Sequence, residues 1–325
     1  MTTTVQLPAQ MKAWIWSKAA RTISLSMGAA IPSLGRHDVL IANKAIGLNP
    51  VDWKFIETDR GDLWTDGHIP GVDGAGVVVA VGDKSNEHWL GISVCYHQSL
   101  QRSGSFAEYT AIDHRTLIRL PEMMARNQAA AFPCPVMTAW QAIEKIPIQH
   151  GAEILITGAS GAVGRMLVQL ADVRGFKVTA IASLKRHEAL FALGANVCVE
   201  CTEQLLQKFY AIFDTVSGEH AEELASRVEA NGHLICIMGR LEKAAVPGFS
   251  TAISQHEVAL NALHGSGTSA QWRHFTQEAE KLINLVNRGE FKSPDIYVAR
   301  FEQIADALRE FKCNRKALKY VVEVE

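Results

Sequence analysis

Glu153-Ile154-Leu155-Ile156-Thr157-Gly158-Ala159-Ser160-Gly161-Ala162-Val163-Gly164 is the stretch on which the reading of this chain turns. Its apolar run stops at a glycine, as a short buried strand does. Val163, Leu167, Leu170 and Val173 then recur at helical spacing over residues 161–174. Glycines between a strand and a helix allow a tight turn and let backbone N–H groups approach a pyrophosphate, which the helix N-terminus faces. A glycine triplet alone is also compatible with a bare strand-to-helix turn. The strand before it and the helix after it point to a dinucleotide. The residues expected to hold it are Gly158, Ser160, Gly161, Ala162, Val163 and Gly164.

Outward from the loop, residues 177–182 read as a second strand, ending at Ser183-Leu184-Lys185-Arg186. An enzyme that takes NAD places Asp or Glu at this strand end, about 20 residues beyond the glycines, to hold the ribose 2′-OH. Ser183 stands there instead, with Lys185 and Arg186 after it. A 2′-phosphate is repelled by a carboxylate and welcomed by a hydroxyl and two cations, so NADPH is the expected cofactor. The alternative is that Lys185 and Arg186 are a solvated helix start.

Strand-like runs at 196–199, 212–216 and 233–237 alternate with helical ones at 188–193 and 221–228. Such alternation means βαβ units and a parallel sheet. Residues 11–120 are β-rich instead, with strand-like runs at 39–42, 76–81 and 104–111 punctuated by Gly and Pro. Residues 123–131 and 136–143 read as helical, and 271–288 as one long helix. A last strand at 318–324 lies outside the alternation and is expected to return to the first domain. The expectation is an α/β chain of two domains, a β-rich one over 11–128 completed by 290–325 and a doubly wound nucleotide-binding one over 129–289.

The 325 residues carry 32 basic and 34 acidic side chains, a net charge of −2 that gives nucleic acid and membrane surfaces no hold. Six scattered cysteines suit reduced thiols in the cytoplasm. The first ten residues lack the basic and apolar regions of a signal peptide and read as a loose extension. No apolar run is long enough to span a bilayer.

Several further segments carry a resemblance. They are Gly47-Leu48-Asn49-Pro50-Val51-Asp52-Trp53-Lys54, Pro70-Gly71-Val72-Asp73-Gly74-Ala75-Gly76, Gly104-Ser105-Phe106-Ala107-Glu108-Tyr109, Thr138-Ala139-Trp140 and Phe213-Asp214-Thr215-Val216-Ser217-Gly218. In order and spacing, together with the glycine loop, they resemble the medium-chain dehydrogenase/reductase family in its quinone oxidoreductase branch. The resemblance implies a GroES-like catalytic domain, a Rossmann domain, a cleft between them, and a homodimer or homotetramer joined through a strand at residues 257–264.

Zinc-dependent members of that family take ligands where this chain has Asn49, Val72 and Cys134. Valine offers no donor, and one thiolate cannot build a tetrahedral shell, so no metal is expected. Cys198 and Cys201 form a lone pair, and His97 and His114 lack ligand spacing. Without a Lewis acid, a conjugated carbonyl is the easier substrate, because charge spreads to an oxygen that hydrogen-bond donors can stabilise. The expected function is NADPH-dependent hydride transfer to a quinone or α,β-unsaturated carbonyl. The Asn-Pro-Val-Asp-x-Lys segment is similar to that of enone and alkenal reductases and makes Lys54 the candidate proton donor, or else half of an ion pair with Asp52. Asn49 and Asp52 are expected at the nicotinamide side, or as loop caps. Thr138 meets the carboxamide or caps a helix, Asp73 serves the fold, and Trp53, Phe55 and Trp64 line a substrate wall or pack the core. Two other readings remain, an alcohol or aldehyde dehydrogenase and an NADPH-binding protein without turnover.

Overall fold

The structure, a computed structural model, describes residues 7–313 and 318–325. Part of the N-terminal extension expected above, residues 1–6, lies outside the described residues. Two compact units divide the chain. One takes it up to Cys134 and again from Asn261 onward, and the other runs Pro135–Leu260.

The first unit opens on the antiparallel pair β1 (Gln10–Ser17) and β2 (Thr22–Ala30). Then follow β3 (Asp38–Gly47), α1 (Pro50–Glu57), β4 (Asp73–Val81), β5 (Ser93–His97), β6 (Tyr109–Asp113), β7 (Ile118–Arg119) and α2 (Arg126–Ala130), after which α3 (Pro133–Ile143) runs across the boundary, almost all of it in the second unit. The second unit contains β8 (Glu153–Ile156), α4 (Ala162–Val173), β9 (Lys177–Ile181), α5 (His187–Phe191), β10 (Val197–Val199), β11 (Phe209–Asp214), α6 (Gly218–Leu224), β12 (Val228–Cys236) and β13 (Ser254–Glu257). The chain then returns to the first unit with α7 (Asn261–Ser266), α8 (Ser269–Asn287), β14 (Asp295–Arg300), α9 (Ile304–Cys313) and β15 (Leu318–Glu323).

In the second unit six parallel strands lie in the order β10-β9-β8-β11-β12-β13. The chain moves outward from β8 on one side and then crosses to β11, so the order reverses between β8 and β11. Ligands of doubly wound sheets bind outside the carboxyl ends of the strands at such a switch point. β8 and β11 are buried over almost their whole length, as central parallel strands covered on both faces must be. The fold class read from the sequence, α/β with a doubly wound parallel sheet, is the one the chain adopts.

In the first unit the sheet order is β14-β15-β3-β4-β5-β7, with β6 also on β3. β15 pairs antiparallel with β3, Val321 opposite Gly47, which places the last strand where the sequence put it. Three expectations change. Of the strand expected over 104–111, only Tyr109 onward is ladder, because the amides of Gly104, Ser105 and Phe106 bond to the carbonyls of Ile69, Gly71 and Pro70. The strand expected over 257–264 ends at Glu257. Asn261 opens a helix there, and its Oδ1 accepts from Leu100 N at 2.9 Å. The long helix α8 buries Trp272, Phe275, Ala279, Leu282, Ile283 and Val286 and packs on β7 and the turn at His114–Thr116. It belongs with the first unit, whereas the expected limit of 289 had put it in the second.

Candidate functional site

The glycine loop has the shape its composition asks for. Gly158, two residues past the end of β8, has φ +57°, in the left-handed region. Gly161 is the N-cap of α4, and its N–H donates to Gly158 O at 3.0 Å. A Cβ on Gly164 would lie 2.5 Å from Gly158 O and 2.6 Å from Ala159 Cα, so only glycine lets α4 approach the strand end this closely. The first amides of α4, at Ala162 and Val163, have no partners within the helix and point outward from its positive end. Ser160 is half-buried in the loop. These are the fixed donors that a pyrophosphate requires.

Beyond β9 the chain makes a short turn over Leu184–Arg186 with Ser183 as its N-cap. Ser183 and Lys185 are exposed and Arg186 is half-buried. One carboxylate that the sequence reading missed lies here. Glu200 Oε1 accepts from Leu184 N at 3.0 Å. It follows the short strand β10, and only the pairing of β10 with β9 brings it near.

In the first unit a buried polar cluster forms around Asn49, the N-cap of α1. Asn49 N donates to Asp52 Oδ2 at 2.7 Å, the reciprocal half of a capping box, with Pro50 in the first helical position. The Asn49 side chain turns away from the helix. Its Nδ2 donates to Asp73 Oδ2 at 2.9 Å. Asp73 also accepts from Cys134 N at 3.1 Å on both oxygens. The member that sequence reasoning missed is Lys319 on β15. Its Nζ lies 2.5 Å from Asn49 Oδ1 and 3.4 Å from Asp73 Oδ2, at 1% exposure. Three of the four positions singled out for metal ligation or the fold, Asn49, Asp73 and Cys134, thus meet through Asp73. Their positive partner is a lysine ammonium.

Burial dominates the titration here. Desolvation lifts Asp52 to about 7 even though the Asn49 amide holds it down. It lifts Asp73 to about 6 against the opposing pull of Lys319 and Asn49. Both values exceed those of the unfolded chain, so the native state binds more protons between the unfolded and folded values. Stability contributed by these groups therefore falls as pH rises through that window. We expect the melting temperature to drop between about pH 4 and about pH 7, and the slope to flatten in Asp52→Asn, whose amide oxygen can still accept from Asn49 N. Calorimetry across that range checks it, and an unchanged slope in the variant would assign the pH dependence elsewhere.

The other singled-out residues divide. Lys54, in the last turn of α1, is half-buried, and its pKa is lowered by desolvation and by the Arg60 charge. Thr138 lies inside α3, so it caps no helix. Phe55 and Trp64 pack in the core, Trp64 edge-on to Trp16 at 5.4 Å and bonded through Nε1 to Leu100 O. Trp53 sits edge-on to Phe311 at 5.0 Å. His97 is buried, with Nδ1 3.2 Å from His264 Nε2. Desolvation lowers these two histidines to about 4 and about 3. None of the six cysteines is in a disulfide. Among the described residues no group of three or more His, Cys, Asp or Glu is placed to hold a metal. No helix among them is long and apolar enough to cross a membrane.

Residues 35–122 match the alcohol dehydrogenase GroES-like domain. A 2-methylene-furan-3-one reductase of Solanum lycopersicum is 31% identical over 281 residues, 81% of this chain and 70% of that protein. A chloroplastic NADPH-dependent alkenal/one oxidoreductase of Arabidopsis thaliana is 30% identical, covering 81% and 71%. A zinc-type alcohol dehydrogenase-like protein of Schizosaccharomyces pombe is 32% identical over 96% of both chains. Among solved structures, an alcohol dehydrogenase superfamily protein from Novosphingobium aromaticivorans superposes with a TM-score of 0.85 at 25% identity, over 97% of this chain and 100% of the other.

Proposed function

Because the chain belongs to the medium-chain dehydrogenase/reductase family, in its quinone oxidoreductase branch, we propose that it reduces a quinone or an α,β-unsaturated carbonyl with NADPH and without zinc. The observation that carries the reading is the buried cluster at the family's metal position. Val72 has no donor atom, and the Asn49 oxygen already accepts from Lys319. A zinc ion would meet an ammonium there, with one thiol, Cys134, to bind. The donor set does not fit the metal, and no step of the chemistry runs through one.

The nucleotide-binding unit does fit its cofactor. The Gly158–Gly164 cradle and the first amides of α4 hold the pyrophosphate, and Ser183, Lys185 and Arg186 hold the 2′-phosphate. Bound NADPH supplies the hydride. The chain's own residues orient and polarise the acceptor, and Lys54 gives the proton that completes the reduced product. Asn49 and Asp52 hold the segment that carries Lys54 by fixing the start of α1. Thr138 is the candidate contact to the carboxamide. The names of the tomato and Arabidopsis relatives favour a conjugated carbonyl, the mild net charge favours a small-molecule substrate over a polyanion, the resemblance to the family favours a homodimer or homotetramer, and the six thiols favour the cytoplasm.

Two experiments test the reading. Metal analysis of purified protein is expected to find no stoichiometric zinc, and chelators to leave turnover intact; one tightly held zinc per chain would overturn it. Ser183→Asp is expected to weaken NADPH binding by about tenfold or more and to spare NADH, because it sets a carboxylate against the 2′-phosphate. Wild-type protein that binds NADH as tightly as NADPH would refute the assignment of Ser183, Lys185 and Arg186.

A further inference from the structure

A second polar constellation, which no step above uses, stands at the switch point of the parallel sheet. Asp214 ends β11 and is 1% exposed. Thr157 Oγ1 donates to its Oδ2 at 2.7 Å, and the amides of Val216 and Ser217 donate to its Oδ1 at 2.9 Å each. His220, in the first turn of α6, adds a short hydrogen bond from Nδ1 to Oδ2. The His220 amide in turn donates to Ser217 Oγ at 3.1 Å, which fixes the turn. The glycine loop is next to this group. Thr215 Oγ1 donates to Thr157 O at 2.8 Å, and a Cβ on Gly158 would lie 2.2 Å from that hydroxyl.

Thr157 and two amides already satisfy the buried carboxylate, so the histidine is not needed to complete it. What the carboxylate does is set the ring. It takes the proton on Nδ1, which fixes the ring's orientation, and in the neutral imidazole the Nε2 lone pair is then an acceptor. The side chain is 26% exposed, at the strand ends where a doubly wound sheet binds its ligand. A fixed acceptor at a nucleotide site matches a sugar hydroxyl, which has a proton to give. A phosphate oxygen has none.

We propose that His220, oriented by Asp214, is a cofactor-binding residue whose Nε2 accepts a hydrogen bond from a ribose hydroxyl of the bound dinucleotide. The proposal rests on the dinucleotide reading above. His220→Phe keeps the ring's bulk and removes both nitrogens. By fluorescence titration it is expected to raise the Kd for NADPH by about 5–20-fold, the range of one lost hydrogen bond in a fixed site. Titrating adenosine 2′,5′-bisphosphate and reduced nicotinamide mononucleotide separately locates the ribose, since the loss follows the half that carries it.

Imidazole ¹⁵N spectra of the wild-type protein give a readout that needs no variant to fold. The His220 Nε2 resonance is expected to shift on saturation with NADPH. A Kd within twofold of wild type for NADPH and for both halves, or an unmoved Nε2 resonance on saturation, would overturn the role of His220 and leave the dinucleotide reading standing. A wild-type protein that binds neither NADPH nor NADH would overturn both.

Discussion

Lys54→Met is expected to cut kcat on a non-quinone enone by roughly 10²–10⁴-fold, the usual worth of a positioned general acid, while leaving NADPH affinity nearly unchanged. Hydride arriving at carbon drives negative charge onto the carbonyl oxygen. In the proposed zinc-free site, an ammonium is the group able to stabilise that charge and then deliver a proton. Methionine keeps much of the side chain's length and apolar stem and removes the charge and the donors. The affinity should be spared because the proposed phosphate site is the Gly158–Gly164 loop, in the other unit. Quinones need less polarisation and are expected to suffer less. Burial and Arg60 hold the Lys54 pKa below its ordinary 10.5, so the acid form is lost earlier than for a free lysine as pH rises. The wild-type rate on an enone should fall through that loss, and the Lys54→Met profile should be flat there. An Lys54→Met enzyme with near wild-type kcat on the enone would show that another group, such as water, gives the proton.

The second large effect concerns stability. Lys319→Met is expected to cost about 3–5 kcal/mol in urea denaturation near neutral pH, because it leaves the buried Asp73 carboxylate without its cation. Against a total of about 5–15 kcal/mol this threatens the fold itself. The loss should shrink below the pH at which Asp73, lifted by burial to about 6, takes up its proton. Adding Asp73→Asn removes the orphaned charge and should recover part of the stability. A loss below about 1 kcal/mol at neutral pH would mean that Lys319 is not the partner holding Asp73 ionised.

The glycine loop, the parallel sheet and the return of the last strand were legible because each leaves a local trace. The traces are a strand ending in Gly158, a helical period after Gly161, and a strand at 318–324 outside the alternation. Lys319 was not legible. It lies 270 residues from Asn49 and sits in a short strand, where a lysine reads as a solvent-facing position; only the pairing of β15 with β3 carries it inward. Glu200 escaped for the same reason, since it reaches Leu184 only through the β10–β9 pairing. The packing of α8 on β7 was not legible, because an amphipathic helix announces that it has an apolar face and not what that face packs against. Asp73 was read as a fold residue between glycines. Its bonds to Asn49, Cys134 and Lys319 give that role its content.

The central claim, reduction of a conjugated acceptor without zinc, is tested most directly by one assay. NADPH oxidation is followed at saturating cofactor with an enone and with a quinone, on protein shown by metal analysis to be zinc-free. The account predicts turnover of both acceptors by the zinc-free protein, unaffected by added chelator and faster with NADPH than with NADH. No oxidation with either acceptor, together with zinc-dependent reduction of NAD⁺ or NADP⁺ by a simple alcohol, would contradict it.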